Sequence, residues 1–380
     1  MLLFYHSLRK MSIKRKNISK ILKIRFTFLS FSFIIKMNIL EGDLYMDKKL
    51  FGTTSAGESI YAYTIKNDIA SVTVLNFGGI LQNFTVHGLS IVGGYDFIED
   101  YEADTSHQGG LIGRVANRVA NAAFEMDGKT YTLPVNNGKN CLHGGIRGFD
   151  RRIWQITEAN KNEIKLFYHA EDGEEGFPGA LDVTVIYRLE GGDLLIDYTA
   201  IPHSKTPIAL TNHAYFNLNG FGDTIHTHML TLAAERYTEM NESILPTGNR
   251  PEVFGTPFDF TVPRAVGAHF SDTFSGYDHN FILSPKTTET VCGMQLPLVA
   301  TLEGDSLIMK TYTDQKGVQI YTANFLKGDP RFSGNIQRIK HGAICLETQT
   351  EPGAIARGEI FYDKGQVYRH QTVYSVKKKA

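Results

Sequence analysis

Short apolar segments with a two-residue period recur along this chain, and they limit its fold more than any other feature. Leu181 to Leu189 mostly alternates apolar and polar residues, which is typical of a strand with one buried face. Gly191-Gly192 then provides a turn into Leu194 to Tyr198, so these residues predict a β-hairpin. Because such segments recur between turn residues and long helical periods are absent, the sequence favours an all-β sandwich or barrel.

Several further segments carry the same signal. Ser306 to Thr313 and Val318 to Phe325 are predicted to pair with each other around the turn residues Asp314 to Gly317. The remaining predicted strands are Ile69 to Leu75, Phe124 to Leu133 with a turn at Asp127-Gly128, Ile153 to Ala159 paired with Glu163 to Ala170, and Met229 to Ala234.

The domain organisation follows from composition along the chain. No Pro/Ser-rich linker divides the sequence after residue 50, so residues 46–380 are predicted to form one large β domain. Phe26 to Ile35 is apolar behind a basic flank, as in a signal peptide, but no small-residue cleavage site follows it. The run is also too short to span a bilayer. We therefore predict that residues 1–45 are a poorly ordered or spurious N-terminal extension, with export as the alternative.

Charge and cysteine content limit the possible partners and compartments. Residues 1–36 hold nine of the 39 basic residues and no acidic residue, so residues 37–380 carry 30 basic and 40 acidic groups. A domain with this excess of acidic residues is a poor nucleic-acid binder, because phosphate contacts need a basic surface. The three cysteines (Cys141, Cys292 and Cys345) offer no disulfide framework, which favours a cytoplasmic location. Cys345 lies in an apolar run and is predicted to be a core residue, with a nucleophilic thiol as the alternative.

The segment from Ile112 to Trp154 is the first candidate site. Asn117 and Arg118 are followed by His143, which precedes Gly144 and Gly145 in a glycine-rich turn. Such glycines let the backbone turn sharply or approach a ligand closely. A guanidinium, an amide and an imidazole that converge on one spot would suit a neutral ligand rich in hydroxyl groups.

Three later segments supply groups that titrate or form hydrogen bonds. His213 can donate and accept a proton near neutral pH, although a core histidine bonded to Asn212 or Asn217 is the alternative. Asp278 can accept hydrogen bonds from two sugar hydroxyls, or it can cap a turn. Glu347 ends an apolar strand, so its carboxylate is either partly desolvated and useful as a base or a solvated edge residue. Gln319 is a weaker candidate for hydrogen bonding.

Metal and nucleotide sites have less support. His226 and His228 would share one face of a strand, but no further ligand stands at a diagnostic spacing. The chain has no Walker loop and no Gly-x-Gly-x-x-Gly between a strand and a helix, so we predict no cofactor.

In this order the segments resemble the aldose 1-epimerase, or galactose mutarotase, family. The resemblance covers residues 50–378 and is carried by Gly113–Arg118, Leu142–Trp154, Thr211–Leu218, Tyr277–Phe281, Val318–Phe325 and Leu346–Gln349. It implies a large antiparallel β-sandwich with an open cleft, and interconversion of the α and β anomers of free aldohexoses such as galactose and glucose. No cofactor or metal is implied.

The resemblance also implies roles for individual residues. Glu347 would be the base that removes the proton from the anomeric hydroxyl, and His213 the acid that protonates the ring oxygen. The substrate-binding residues would be Asn117, Arg118, His143, Asp278 and Gln319. A small-molecule sugar is then the expected partner, and the protein would be a monomer or a homodimer without membrane or nucleic-acid contacts.

Two other functions stay open at this point. A sugar-phosphate mutarotase would need extra cations at the cleft, and Arg147, Arg151 and Arg152 are available in the sequence. A non-catalytic carbohydrate-binding module would need Asp278 and Arg118 but not an acid and a base together.

Overall fold

The computed structural model describes residues 47–379, and these are mostly β-strands. One short α-helix, α1 (Ile98–Ala103), and four 3-10 turns (Ala120–Ala122, Phe149–Arg151, Glu174–Gly176 and Val266–His269) interrupt them. The strands are β1 (Asp47–Thr53), β2 (Ser59–Lys66), β3 (Ala70–Leu75), β4 (Leu81–Val86), β5 (Leu89–Ser90), β6 (Leu111–Ile112), β7 (Arg118–Val119), β8 (Ala123–Met126), β9 (Lys129–Thr132), β10 (Cys141–Leu142), β11 (Gln155–Ala159), β12 (Glu163–Ala170), β13 (Leu181–Glu190), β14 (Asp193–Pro202), β15 (Thr206–Pro207), β16 (Thr211–Asn212), β17 (Met229–Leu232), β18 (Ala234–Tyr237), β19 (Arg264–Ala265), β20 (Asp278–Leu283), β21 (Thr288–Val291), β22 (Met294–Glu303), β23 (Leu307–Thr313), β24 (Gly317–Tyr321), β25 (Gly328–Phe332), β26 (Ile336–Arg338), β27 (Cys345–Gln349), β28 (Phe361–Tyr362) and β29 (Tyr368–Lys378).

Three antiparallel sheets form the body of the fold. The largest has ten strands in the order β11-β12-β13-β14-β29-β23-β22-β17-β19, with β21 paired to β22. A second sheet has the order β1-β2-β3-β4-β5, and a third, which carries much of the candidate site, has the order β18-β20-β24-β27. One continuous apolar core joins them, with Val72, Val185 and Ile320 as examples from the three sheets. The predicted antiparallel β-sandwich is confirmed.

Local sequence patterns explain the strands at the centre of the large sheet. β13 alternates buried and half-buried residues along its length, as its two-residue period predicts. β14 instead is buried on both faces. Ile196 packs in the main core, while Leu195 packs in a second cluster with Leu296 and Val373. The hairpin of β13 with β14 is confirmed, as are the β8–β9 and β11–β12 pairs.

One predicted strand pair is wrong. β23 and β24 are both strands, but β23 pairs with β22 and β29, whereas β24 pairs with β20 and β27. The intervening turn crosses between two sheets: the Asp314 N–H donates to the carbonyl of Gln371, and the Lys316 carbonyl accepts from the N–H of Leu283. Because a polar turn between two strands has the same local pattern in either case, the sequence alone did not reveal the crossover.

The predicted N-terminal extension, residues 1–45, lies outside the described residues. Within residues 47–379, no helix has the length and apolar character needed to cross a bilayer. These residues form one compact unit, and the domain boundary at residue 46 stays a prediction.

Candidate active site

One pocket of about 390 Å³ contains all seven residues selected from the sequence. Its walls come from strands of the four-stranded sheet on one side and from loops that follow short strands on the other. The seven residues are Asn117, Arg118, His143, His213, Asp278, Gln319 and Glu347. The fold therefore brings together residues that lie up to about 230 positions apart in the sequence.

Three adjacent strands carry one wall of the pocket. Gln319 on β24 lies directly opposite Glu347 on β27 and Asn280 on β20. Asp278 precedes Asn280 by two residues, so it lies on the same face of the sheet. Gln319 Nε2 donates to Asp278 Oδ1 over 2.7 Å, which fixes the orientation of the carboxylate. Sheet register alone thus aligns two carboxylates and one amide.

The opposite wall is built by two short strands and the loops beside them. β7 begins at Arg118, and β10 pairs with it and ends one residue before His143. The Asn117 N–H donates to His143 Nδ1 over 3.2 Å, so the remaining imidazole hydrogen is on Nε2. Arg118 Nε donates to Asn137 Oδ1 over 3.0 Å. These contacts leave an imidazole N–H and the outer guanidinium nitrogens to bind a ligand.

Backbone strain also marks this wall. Asn117, His143 and His107 have φ of +63°, +52° and +56°, in the left-handed region that non-glycine residues seldom adopt. Such strain costs of order 1–3 kcal/mol per residue and concentrates at functional sites. Ten other non-glycine residues of the described chain share this conformation, so it describes the wall but does not by itself mark a functional site.

His213 and Glu347 form a buried pair at the base of the pocket. His213 follows β16, and its Nε2 lies 3.7 Å from Glu347 Oε1, with only 2% of Glu347 exposed. The other carboxylate oxygen, Oε2, has no hydrogen-bond partner among the described residues. A buried carboxylate oxygen without a donor is costly, and a hydroxyl group of a ligand would relieve that cost.

Burial opposes the charged form of each group in the pair. Burial, and after it the neighbouring His107, lower the pKa of His213 to about 3. Burial raises the pKa of Glu347 well above the usual value, and Asp278 adds to this rise while Arg118 opposes it. At pH values between the lowered pKa of His213 and the raised pKa of Glu347, the two side chains together carry one titratable proton.

His213 is not a core histidine bonded to Asn212 or Asn217, which was the alternative that the sequence left open. Asn212 and Asn217 donate to backbone carbonyls of Gly109 and Gly342, so neither amide binds His213. Instead, His213 Nδ1 lies 3.6 Å from the Cys345 thiol.

The carboxylates also differ from their alternatives. Glu347 is buried rather than solvated. Asp278 lies at the start of β20, and its carboxylate accepts a hydrogen bond from Gln319 rather than from the backbone of a turn. Cys345 is fully buried, as predicted, and burial raises the pKa of its thiol, which opposes a nucleophilic role.

Sequence reasoning missed several residues of the pocket, and His107 is the most informative of them. Its ring centroid lies 4.7 Å from that of His143 and 6.1 Å from that of His213. Its Nδ1 lies 2.8 Å from Asp150 Oδ2, so Asp150 anchors it. Tyr215 stacks on His213 with the centroids 5.1 Å apart. Ser106-His107-Gln108-Gly109-Gly110 could have been noticed, since it repeats the pattern of a histidine near paired glycines.

The glycine-rich turn after His143 is required by close packing. A Cβ on Gly144 would lie 1.9 Å from the carbonyl oxygen of Gly113, and φ is +87°. We expect Gly144→Ala to lose more than about 2 kcal/mol of unfolding free energy and to lower kcat/KM by moving His143. Urea unfolding and polarimetry would measure the two effects.

Gly138→Ala is the matched control for that variant. Gly138 also has a positive φ, +62°, but a Cβ there would have no atom within 4 Å. It should therefore show only the backbone cost and near-normal activity. Equal losses in both variants would mean that close packing at Gly144 is unimportant.

The pocket could in principle bind a metal through His143, His213 and Glu347, whose ligand atoms lie within 4.8 Å of one another. However, His143 Nδ1 already accepts the Asn117 N–H. The pair suggested by the sequence does not converge, because His226 Nε2 bonds to His341 and His228 Nε2 accepts the Leu218 N–H.

Comparison with known proteins agrees with this geometry. The profile of the family described as aldose 1-epimerase matches residues 61–375. Galactose mutarotase of Bos taurus is 35% identical over 336 residues, covering 86% of this chain and 96% of its own. Aldose 1-epimerase of Escherichia coli (strain K12) is 36% identical over 287 residues, covering 73% and 82%.

Solved structures agree as well. The aldose epimerase homologue from C. elegans has a TM-score of 0.76 at 25% identity, covering 83% of this chain and 98% of its own. Galactose 1-epimerase from Lactobacillus acidophilus has the same fold, with a TM-score of 0.78 at 24% identity and coverage of 89% and 100%. The chain belongs to the aldose 1-epimerase family, whose enzymes interconvert the anomers of aldoses.

Proposed function

We propose that this chain interconverts the α and β anomers of free galactose and glucose, with Glu347 as base and His213 as acid. The observation that carries the proposal is the buried pair of these residues, 3.7 Å apart, within a pocket of hydrogen-bonding groups. In this assignment Asn117, Arg118, His143, Asp278 and Gln319 bind the sugar.

The reaction starts from the form of the pair that has its one proton on His213, whereas burial of the two groups favours the form with that proton on Glu347. Glu347 accepts the proton of the anomeric hydroxyl, His213 gives its proton to the ring oxygen, and the bond between the anomeric carbon and that oxygen breaks. The product is an open-chain aldehyde, and the pair still carries one proton. After rotation next to the aldehyde, the reverse transfers close the ring with the other configuration. Each positioned group contributes about 10²–10⁴-fold to such a reaction.

The remaining pocket residues suit a neutral sugar. Charge that develops on the ring oxygen is stabilised by the donors Arg118 and His143. Asp278 and Gln319 offer acceptor and donor atoms for hydroxyl groups.

A sugar phosphate is the less favoured substrate. None of Arg147, Arg151 and Arg152 lines the pocket. Arg151 instead donates to the carbonyls of Tyr101 and Glu102, and Arg152 lies near two glutamates. Arg338 does line the pocket, but its guanidinium donates to the Tyr95 hydroxyl and lies 3.4 Å from Asp104, so it is already paired within the protein. A binding module without catalysis would not need an acid and a base together, whereas this pocket holds both His213 and Glu347.

Polarimetry on freshly dissolved α-galactose and α-glucose tests the proposal. Folded wild-type protein should speed the approach to the equilibrium rotation without changing its final value. No acceleration with either sugar would overturn the proposal. Sugar phosphates and binding by calorimetry would then be examined.

The value of kcat/KM should be highest at pH values where His213 and Glu347 together carry one proton. The lowered pKa of His213 means that a second proton binds only in acid, so activity should fall there with a midpoint well below 6.5. The raised pKa of Glu347 means that the last proton leaves well above 4.5, so the alkaline decline should lie above that value. Polarimetric rates, corrected for the buffer reaction, would show the profile; an acid midpoint near 6.5 would contradict the burial argument.

Cysteine content and charge bear on the location and assembly of the protein. We propose a cytoplasmic enzyme, supported by the few cysteines, that acts as a monomer or homodimer. The acidic excess of residues 37–380 supports the absence of a nucleic-acid partner.

A further inference from the structure

We propose that His169, Asp182 and His203 form a surface site for a divalent transition-metal ion such as Zn²⁺. These residues lie outside the pocket, and the proposal is independent of the catalytic roles given above. The potential ligand atoms of the three side chains all lie within 4.8 Å of one another.

Regular structure places the three side chains together. His169 on β12 and Asp182 on β13 are direct partners in the antiparallel register. His203 follows the last residue of β14, and its N–H donates to the carbonyl of Ala180 over 2.9 Å. Because all three positions are held by backbone pairing, the site does not depend on a mobile loop.

One carboxylate lies between two imidazoles. His169 Nδ1 is 2.6 Å from Asp182 Oδ1, and His203 Nε2 is 2.8 Å from Asp182 Oδ2. Imidazole nitrogens and carboxylate oxygens are both common ligands of Zn²⁺, and each lies about 2.0–2.2 Å from the ion. Slight separation of these exposed side chains would admit the ion between them. Three protein ligands would leave a position for water.

A neighbouring carboxylate is available for the second contact typical of a metal-binding histidine. His169 Nε2 lies 3.7 Å from Glu171 Oε2, longer than a hydrogen bond, and the Glu171 side chain is 80% exposed. Histidines that bind a metal usually donate their other ring N–H to a carboxylate, which fixes the tautomer and the ring orientation. A small rotation of the exposed Glu171 side chain would let it accept the Nε2–H of His169 while Nδ1 binds the ion.

The ligand set indicates the type of ion. Imidazole nitrogens favour Zn²⁺, Cu²⁺ and Ni²⁺ over Mg²⁺ and Ca²⁺, which prefer oxygen ligands alone. Imidazoles bind a metal in their neutral form, so protons compete with the ion and binding should strengthen as pH rises. A bound ion would link β12, β13 and the segment after β14, and would therefore raise the melting temperature.

Calorimetric titration of the metal-stripped, tag-free full chain with ZnCl₂ tests the site. Wild type should bind Zn²⁺ with a dissociation constant on the order of 10 µM, and saturating Zn²⁺ should raise Tm. The double variant His169→Gln, His203→Gln should bind one fewer ion per chain. The single variant His203→Gln should weaken binding by about 10–100-fold. His87→Gln, which changes an exposed histidine elsewhere, should bind as wild type does.

Polarimetry of the same samples separates this site from the pocket. The double variant should keep wild-type mutarotation, because neither residue lines the pocket. Zn²⁺ bound at His143, His213 and Glu347 would instead slow mutarotation and persist in the double variant. The proposal is overturned if wild type binds no Zn²⁺ saturably, or if the double variant binds as many ions as tightly as wild type does.

Discussion

Glu347→Gln should reduce mutarotation of galactose by about 10²–10⁴-fold while the protein stays folded and binds sugar. The substitution keeps the size and planar shape of the side chain but removes the group that accepts the anomeric proton. Glu347 is buried beside His213, and Oε2 has no other partner among residues 47–379, so no nearby protein group replaces it. Polarimetry gives the rate, and calorimetry with galactose gives the affinity.

Glu351→Gln is the matched control for this substitution. Glu351 lies four residues further along the chain, where its carboxylate binds Arg250 and Arg357 outside the pocket lining. Its loss should leave the rate close to that of wild type. If Glu347→Gln kept more than about one tenth of wild-type activity, general-base catalysis by this residue would be ruled out.

Trp154→Ala should lower the free energy of unfolding by about 3–5 kcal/mol. Trp154 is the only tryptophan and is 1% exposed, and its indole N–H donates to the carbonyl of Phe149 over 3.0 Å. Its ring contacts those of Phe149 and Tyr168, with centroids 5.9 Å and 5.5 Å away. Removing the ring leaves a large cavity in the main core, next to Phe149, which directly precedes Asp150.

Trp154→Phe should lose much less stability, because it retains most of the buried ring area. Urea unfolding followed by circular dichroism is the appropriate measurement, since both variants lack the tryptophan fluorescence. A loss below about 1 kcal/mol for the alanine variant would show that the surrounding structure collapses into the cavity.

The sequence predicted the positions of strands better than it predicted which strands pair with each other. The alternation in Leu181 to Leu189 is local, and the Gly-Gly turn forces the next strand to pair with it. No such constraint acts at Asp314 to Gly317, where β23 and β24 enter different sheets. The direction of the chain there depends on backbone hydrogen bonds with Gln371 and Leu283, which are distant in sequence.

In the candidate site, too, the residues with a local sequence signal were found and those placed by distant contacts were missed. Asn117, Arg118 and His143 were found because they surround glycines with a local conformational role. His107 was missed, since its link to the pocket is a contact with Asp150, 43 residues further along the chain. The surface cluster at Asp182 was missed for the same reason, because His169 lies on β12 and His203 follows β14, 34 residues further along the chain.

The sequence by itself determined the strand content, the main hairpins, the acidic body and the identity of the residues that now line one pocket. Only the tertiary structure decided the chemical state of those residues. The shifted pKa values of His213 and Glu347 arise from exclusion of water, and exclusion of water depends on what distant segments cover. Residue identity is encoded locally, whereas burial and register are properties of the whole chain.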